Sequence, residues 1–227
     1  MTALKQEMSF RGLTAKEVHE INWKYFIEHT YEQWYSPKPE DIVVDLGAKI
    51  GAFGALALDN GADELYMVET NKEMLKTAWY NISNYLIDRT DKKIQLSSEH
   101  IGREISFKDW LKKYEIDFID YLKIEPRYGF EYAICTKEYL DFCKNNVRHI
   151  AVTFDLSTKR NIERFEKSRE EFIRAGWWQQ HDRNWNDLMH QQCRYLNDVG
   201  AGVIWRSLDL REFAINNKVL TLYLTNY

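Results

Sequence analysis

Cysteine, proline and surplus basic charge are all scarce in this sequence, and each shortage removes a class of protein. The three cysteines, Cys135, Cys143 and Cys193, form no CxxC pair and are odd in number. That argues against a disulfide framework and reads as reduced thiols in a cytoplasmic protein. No apolar run approaches the roughly 20 residues of a membrane span, and the opening MTALKQEMSF has no apolar signal core. Lys and Arg number 31 against 35 Asp and Glu, a formal net charge of −4. A sequence-independent nucleic-acid binder needs clustered cations to displace counterions. No nucleic-acid or membrane partner is therefore expected, although a local basic groove stays open. Internal repeats and low-complexity tracts are missing too.

What is present is ordinary in bulk: 44% hydrophobic and 29% charged residues over 227 positions. A single domain of that size buries roughly 70% of its unfolded surface and needs no cross-link to fold. Aromatics reach 15%, which means either a thick aromatic core or a stacking surface. Pro37 and Pro39 mark one break, in SPKPED. Before it, Thr14–Tyr35 reads as a helix opened by a Thr14/Glu17 capping box. After it, DIVVDLG, ELYMVET, KIQLSS, FIDYLKIE and HIAVTFDL read as buried strands, each followed by a helical stretch. Five such rounds predict a parallel sheet covered on both faces. GVIWRSL and KVLTLYLTN break the alternation and could pair antiparallel. Ligands of such sheets sit beyond the C-terminal strand ends, near the switch point.

The segment VVDLGAKIGAFG carries the first chemical signal. A strand delivers Asp45, and Gly47 and Gly51 let the backbone turn tightly and approach a ligand before a helix begins. N–H groups at that helix start can serve an anionic or polar ligand. Lys49 stands where a dinucleotide motif would place its second glycine, which speaks against NAD. Glu69 ends the second strand, eighteen residues beyond Gly51, where an acid can accept ribose hydroxyls. On FIDYLKIE, strand alternation puts Lys123 and Glu125 on one face, with Glu125 nearer the ligand end.

VVDLGAKIGAFG, ELYMVETNKEML and IDYLKIE together resemble the FkbM family of class I methyltransferases. The match runs from about Glu40 to Tyr132. It is carried by Asp45, Gly47, Ala48 and Gly51 in the first motif and by Glu69 and Asn71 in the second. In the third, Lys123, Ile124, Gly129, Glu131 and Tyr132 match, Glu125 replaces an aspartate, and one extra residue precedes the glycine. Lys49 replaces a frequent asparagine. The resemblance implies a Rossmann-like, doubly wound, mostly parallel seven-stranded sheet with an antiparallel C-terminal strand. It implies S-adenosylmethionine as methyl donor and an oxygen of a sugar or other small hydroxylated molecule as acceptor. Residues 37–227 would form this domain, with residues 1–36 a helical segment packed on its core.

Within that frame Glu125 or Glu131 is expected to act as general base or cofactor contact, and Lys123 to orient an oxygen. Ser98 and Glu99, just after the third strand, are adenine-side candidates or else cap the next turn. Trp177, Trp178 and Trp185 could form an acceptor-side lid or bury against the sheet. His181, His190 and Cys193 fit no zinc spacing, so no metal is expected. The altered third motif and Lys49 keep a second reading open, a methyltransferase-like binding protein without turnover.

Overall fold

The computed structural model describes residues 8–11, 13–26, 31–32, 35–85, 91–125, 137–175, 178–181 and 219–225. In chain order the elements are α1 (Ala15–Phe26), β1 (Ile42–Leu46), α2 (Ala52–Asp59), β2 (Glu64–Val68), α3 (Lys72–Tyr85), β3 (Lys93–Ser97), α4 (Phe107–Lys113), β4 (Ile119–Ile124), α5 (Lys137–Asn146), β5 (Val147–Asp155), α6 (Lys159–Arg174), β6 (Trp178–His181) and β7 (Val219–Thr225). They build one seven-stranded sheet in the order β3-β2-β1-β4-β5-β7-β6. The first five strands are parallel, and β7 runs antiparallel between β5 and β6. This is the expected doubly wound architecture, with its switch point between β1 and β4.

The central strands are unbroken apolar runs because both of their faces are covered. Along β1, Val43 faces one cluster with Leu65, Met67 and Tyr121, beneath α1, α2 and α3. Val44 and Leu46 face the other, with Tyr66, Leu122, Phe107, Trp110 and Phe165, beneath α4, α5 and α6. Helix α2 lies inside the first cluster and is buried from Ala52 to Leu58, which explains its lack of a polar face. Among the described residues Trp110, Tyr31, Tyr66, Tyr121, Phe53, Phe107, Phe154 and Phe165 are fully buried and form core.

Local signals hold at the helix starts. Thr14 N–H donates to Glu17 Oε2 at 2.8 Å, and Ser106 Oγ accepts from Asp109 N–H at 3.1 Å. Two expectations need correction. The first helix ends at Phe26, and Tyr31 and Glu32 lie in a turn instead of continuing it to Tyr35. The sheet edge is Trp178–His181, drawn from the stretch read as a lid, because β7 offers it a free antiparallel edge. GVIWRSL, Trp177, Trp185, His190 and Cys193 lie outside the described residues. Among the described residues no helix is long and apolar enough to cross a membrane, and no group of three His, Cys, Asp or Glu is placed to hold a metal ion.

At the N-terminal strand ends, His149 of β5 stacks on Tyr35 with ring centroids 3.9 Å apart. Burial, helped by Arg148, pushes its imidazole down to about 4 from 6.5. A depressed folded value means that the unfolded chain takes up the proton first. Stability contributed by neutral His149 is therefore complete above 6.5 and lost as the pH falls through about 4. His149→Phe, which keeps the stack, should flatten that acid limb in urea titrations at stepped pH. An unchanged limb would locate the acid sensitivity elsewhere.

Candidate cofactor site

Beyond the C-terminal ends of β1, β2, β3 and β4 lies an open cleft of about 330 Å³, lined by Leu46, Gly47, Val68, Thr70, Glu99, His100, Ile101, Ile124 and Glu125. Gly47 forms its floor. Its φ is +82°, and a Cβ there would stand 2.9 Å from Glu125 Cβ. Gly51, also at positive φ, instead faces Ala78 of α3, where a Cβ would meet backbone at 3.3 Å. Its missing side chain thus serves helix packing, not ligand approach as the sequence suggested.

The turn is tied back on itself. Gly47 and Ala48 N–H both donate to Val68 O, at 2.9 and 3.0 Å, and Gly51 N–H to Ala48 O at 2.8 Å. Lys49 N–H donates to Glu69 Oε2 at 2.9 Å, while Asn71 N–H donates to Glu69 Oε1 at 2.8 Å. Glu69 is buried and braces the turn against the end of β2. The N–H groups of Gly47, Ala48, Lys49 and Gly51 are thus accepted by the protein itself. Ala48 packs into the core. Asn71 Oδ1 accepts from Glu73 and Met74 N–H, capping α3.

Below the turn, Asp45 and Lys123 are register partners on β1 and β4. Lys123 Nζ donates to Asp45 Oδ1 at 2.7 Å and to Gly47 O at 3.0 Å, and both side chains are fully buried. The rings of Tyr31, Tyr25 and Phe53 surround the ammonium at 5.1, 5.8 and 5.9 Å, a cation–π enclosure. Burial pushes the Asp45 carboxyl up, opposed by Lys123 and reinforced by Glu125 and Glu69. Lys123, expected to orient an acceptor oxygen, is thus spent inside the protein. It fixes the carbonyl of Gly47.

Glu125 sits at the other wall. Its Oε1 accepts from the hydroxyls of Tyr25, at 3.2 Å, and of Tyr31, and Lys49 Nζ lies 3.1 Å from its Oε2. The Tyr31 hydroxyl also contacts Thr153 Oγ1 of β5 at 2.9 Å. Burial, with Glu125 beside it, pushes the Tyr31 phenol well above its usual range, so it remains a neutral donor. After β3, Glu99 is held by Lys113, Ser97 and Tyr114. Ser98 is exposed, and buried Ser97 accepts from Trp110 Nε1 instead. Glu131 lies outside the described residues.

The structure therefore brings Gly47, Glu99 and Glu125 to one cleft and sets Asp45 and Lys123 beneath it, with Glu69 bracing the turn between the lining residues Val68 and Thr70. Thr70, inside the strand-end segment Glu69–Asn71, lines it too, as do His100 and Ile101, which sequence reasoning missed. It missed Tyr31 as well, because nothing local marks a contact spanning 94 residues to Glu125. The charges on β1 and β4 did carry a signal, since a Lys and an Asp in strands buried on both faces must pair.

No family model and no curated protein matches this chain. Solved structures do. A putative rRNA-methylase from Clostridium thermocellum is 10% identical, with TM-score 0.51 over 95% of this chain and 99% of that one. A putative SAM-dependent methyltransferase from Streptococcus mutans is 12% identical, with TM-score 0.49 over 82% of this chain and 45% of that one. A putative RNA methyltransferase from Pyrococcus horikoshii is 13% identical, with TM-score 0.46 over 99% and 94%. The first corrects the expectation of a small sugar-like acceptor and no nucleic acid, since a protein of this fold is described as acting on rRNA. By strand order and by this likeness, the chain has the Rossmann-like fold of the class I methyltransferases.

Proposed function

We propose that this protein is an S-adenosylmethionine-dependent methyltransferase whose cofactor occupies the cleft floored by Gly47. The observation that carries the reading is the convergence of the β1 turn and the ends of β2, β3 and β4 on one cleft at the switch point of this sheet. The lining fits such a group: Leu46, Val68, Ile101 and Ile124 offer apolar walls, and Glu99 and Glu125 offer anions near a sulfonium. Bound there, the cofactor supplies a methyl already activated on sulfur, so positioning accounts for much of the rate.

Each residue then has a task. Gly47 gives space, and Lys123 with Asp45 holds its carbonyl. Ile101 and Glu99 line the adenine side. A carboxylate oxygen accepts two hydrogen bonds, so Glu69 can receive a ribose hydroxyl beside its backbone contacts. Glu125, already engaged by Tyr25, Tyr31 and Lys49, acts as a fixed anionic contact. That leaves Glu131 as the base for transfer to oxygen, the chemistry the FkbM resemblance supports.

Calorimetric titration with S-adenosylmethionine and S-adenosylhomocysteine, with NAD as control, tests the reading. Micromolar binding, about −8 kcal/mol, is expected for the first two only. Binding of none, or of NAD alone, would refute it. Glu69→Ala should weaken S-adenosylhomocysteine by about 1–3 kcal/mol, and an effect near zero would remove Glu69 from the ribose. A second reading, binding without turnover, is favoured by the Lys49–Glu125 pair at the turn. Methyl transfer to any acceptor in a screen that includes RNA would exclude it.

A further inference from the structure

A cofactor in the cleft floored by Gly47 still lacks a receptor for its amino-acid end, and any assignment of one rests on the methyltransferase reading. That end carries an α-carboxylate and an α-ammonium, so it needs a cation and an anion close together. The usual recourse for a carboxylate, backbone N–H groups at a glycine turn, is largely closed here. Those of Gly47, Ala48, Lys49 and Gly51 already donate to Val68 O, Glu69 and Ala48 O. Lys123 is enclosed by rings and bound to Asp45.

Lys49 differs from both. It lies on the turn itself, held at φ +52° with its N–H fixed by Glu69. Its side chain is 17% exposed, and its ammonium lies 3.1 Å from Glu125 Oε2, at the wall of the cleft. Tyr25 and Tyr31 grip Glu125 through the other oxygen, Oε1, so this carboxylate stays in place if Lys49 swings away. We propose that the Lys49–Glu125 ion pair is the receptor for the zwitterionic amino-acid end of the cofactor, Lys49 taking the α-carboxylate and Glu125 the α-ammonium. Without ligand the two charges satisfy each other. A ligand carrying both charges replaces each contact with one of the same sign, which a nucleoside lacking the amino-acid end cannot do.

The test compares S-adenosylhomocysteine with 5′-methylthioadenosine, which keeps the nucleoside and sulfur but lacks the amino acid. Both are titrated calorimetrically into the full chain and into Lys49→Met and Lys49→Arg, with melting curves as a folding control. Lys49→Met should weaken S-adenosylhomocysteine by about 10- to 100-fold, the scale of a lost charge-assisted contact. It should leave methylthioadenosine within about twofold, and Lys49→Arg should restore most of the difference. Unchanged S-adenosylhomocysteine affinity in Lys49→Met would overturn the assignment, as would an equal loss for both ligands. Tighter binding by the variant would also overturn it, making the pair a plug. If neither ligand binds the folded wild type, the cofactor reading itself fails and the receptor falls with it.

Discussion

Lys123→Met should cost the fold about 3–5 kcal/mol at neutral pH, the scale for leaving one member of a buried ion pair alone. Against a total stability of roughly 5–15 kcal/mol, that is a large share, and the melting temperature should drop by roughly 6–20 °C. The loss arises less from the missing attraction than from the Asp45 carboxylate left fully buried without its cation. Adding Asp45→Asn removes that charge, so the double variant should recover much of the deficit. Acidity should do the same. Burial already raises the Asp45 carboxyl, and Lys123 is the group that opposes the rise. Without Lys123 the folded value climbs further. The folded variant then takes up a proton more readily than the unfolded chain, whose carboxylate titrates near 4. The stability due to a neutral Asp45 is whole below that range and lost as the pH rises through the raised folded value. Urea titrations from pH 8 to about 5 should show the deficit shrinking. A deficit independent of pH, or a double variant worse than the single, would show that Asp45 is not the source.

Gly47→Val should abolish S-adenosylhomocysteine binding, a loss of at least about 100-fold. A side chain at φ +82° is strained whatever its surroundings, and its Cβ would stand 2.9 Å from that of Glu125. Something must move, and the neighbours are the Cβ, Cα and carbonyl oxygen of Glu125, the residue at the wall of the cleft. Gly51→Val makes the discriminating comparison. Its Cβ meets Ala78 of α3, so stability should fall while the cleft wall at Glu125 stays where it is. Wild-type affinity in a folded Gly47→Val protein would mean that the cofactor lies elsewhere.

These contrasts mark where sequence reasoning is sufficient. The strands are legible because DIVVDLG and FIDYLKIE are apolar on both faces, a pattern that only a covered parallel sheet satisfies. The caps at Thr14 and Ser106 are legible because a capping contact spans three residues. Gly47 and Gly51 look alike in the sequence, as both end in positive φ. Only the position of α3 distinguishes a glycine that makes room for a ligand from one that makes room for a helix. Lys123 looks chemical because it carries a charge at a strand end. Its register partner Asp45 lies 78 residues away, and without the pairing of β1 with β4 nothing shows that the charge is already spent. Tyr25 reads as an inward position of α1, but its contact with Glu125 depends on how α1 crosses the sheet.

The placement of β7 bears on how the chain is made. A ribosome releases β1 to β5 in order, and each strand after the first finds a parallel partner among strands already made, β4 reaching back past β2 and β3 to β1. The edge strand β6 emerges next with no partner, because its neighbour in the finished sheet is β7. Until residues 219–225 appear, β5 keeps an open edge and β6 cannot dock. A nascent chain that stalls in this interval exposes the unpaired backbone that invites aggregation. Completion of the sheet therefore waits on β7, and chaperone demand should concentrate in the interval before residues 219–225 emerge.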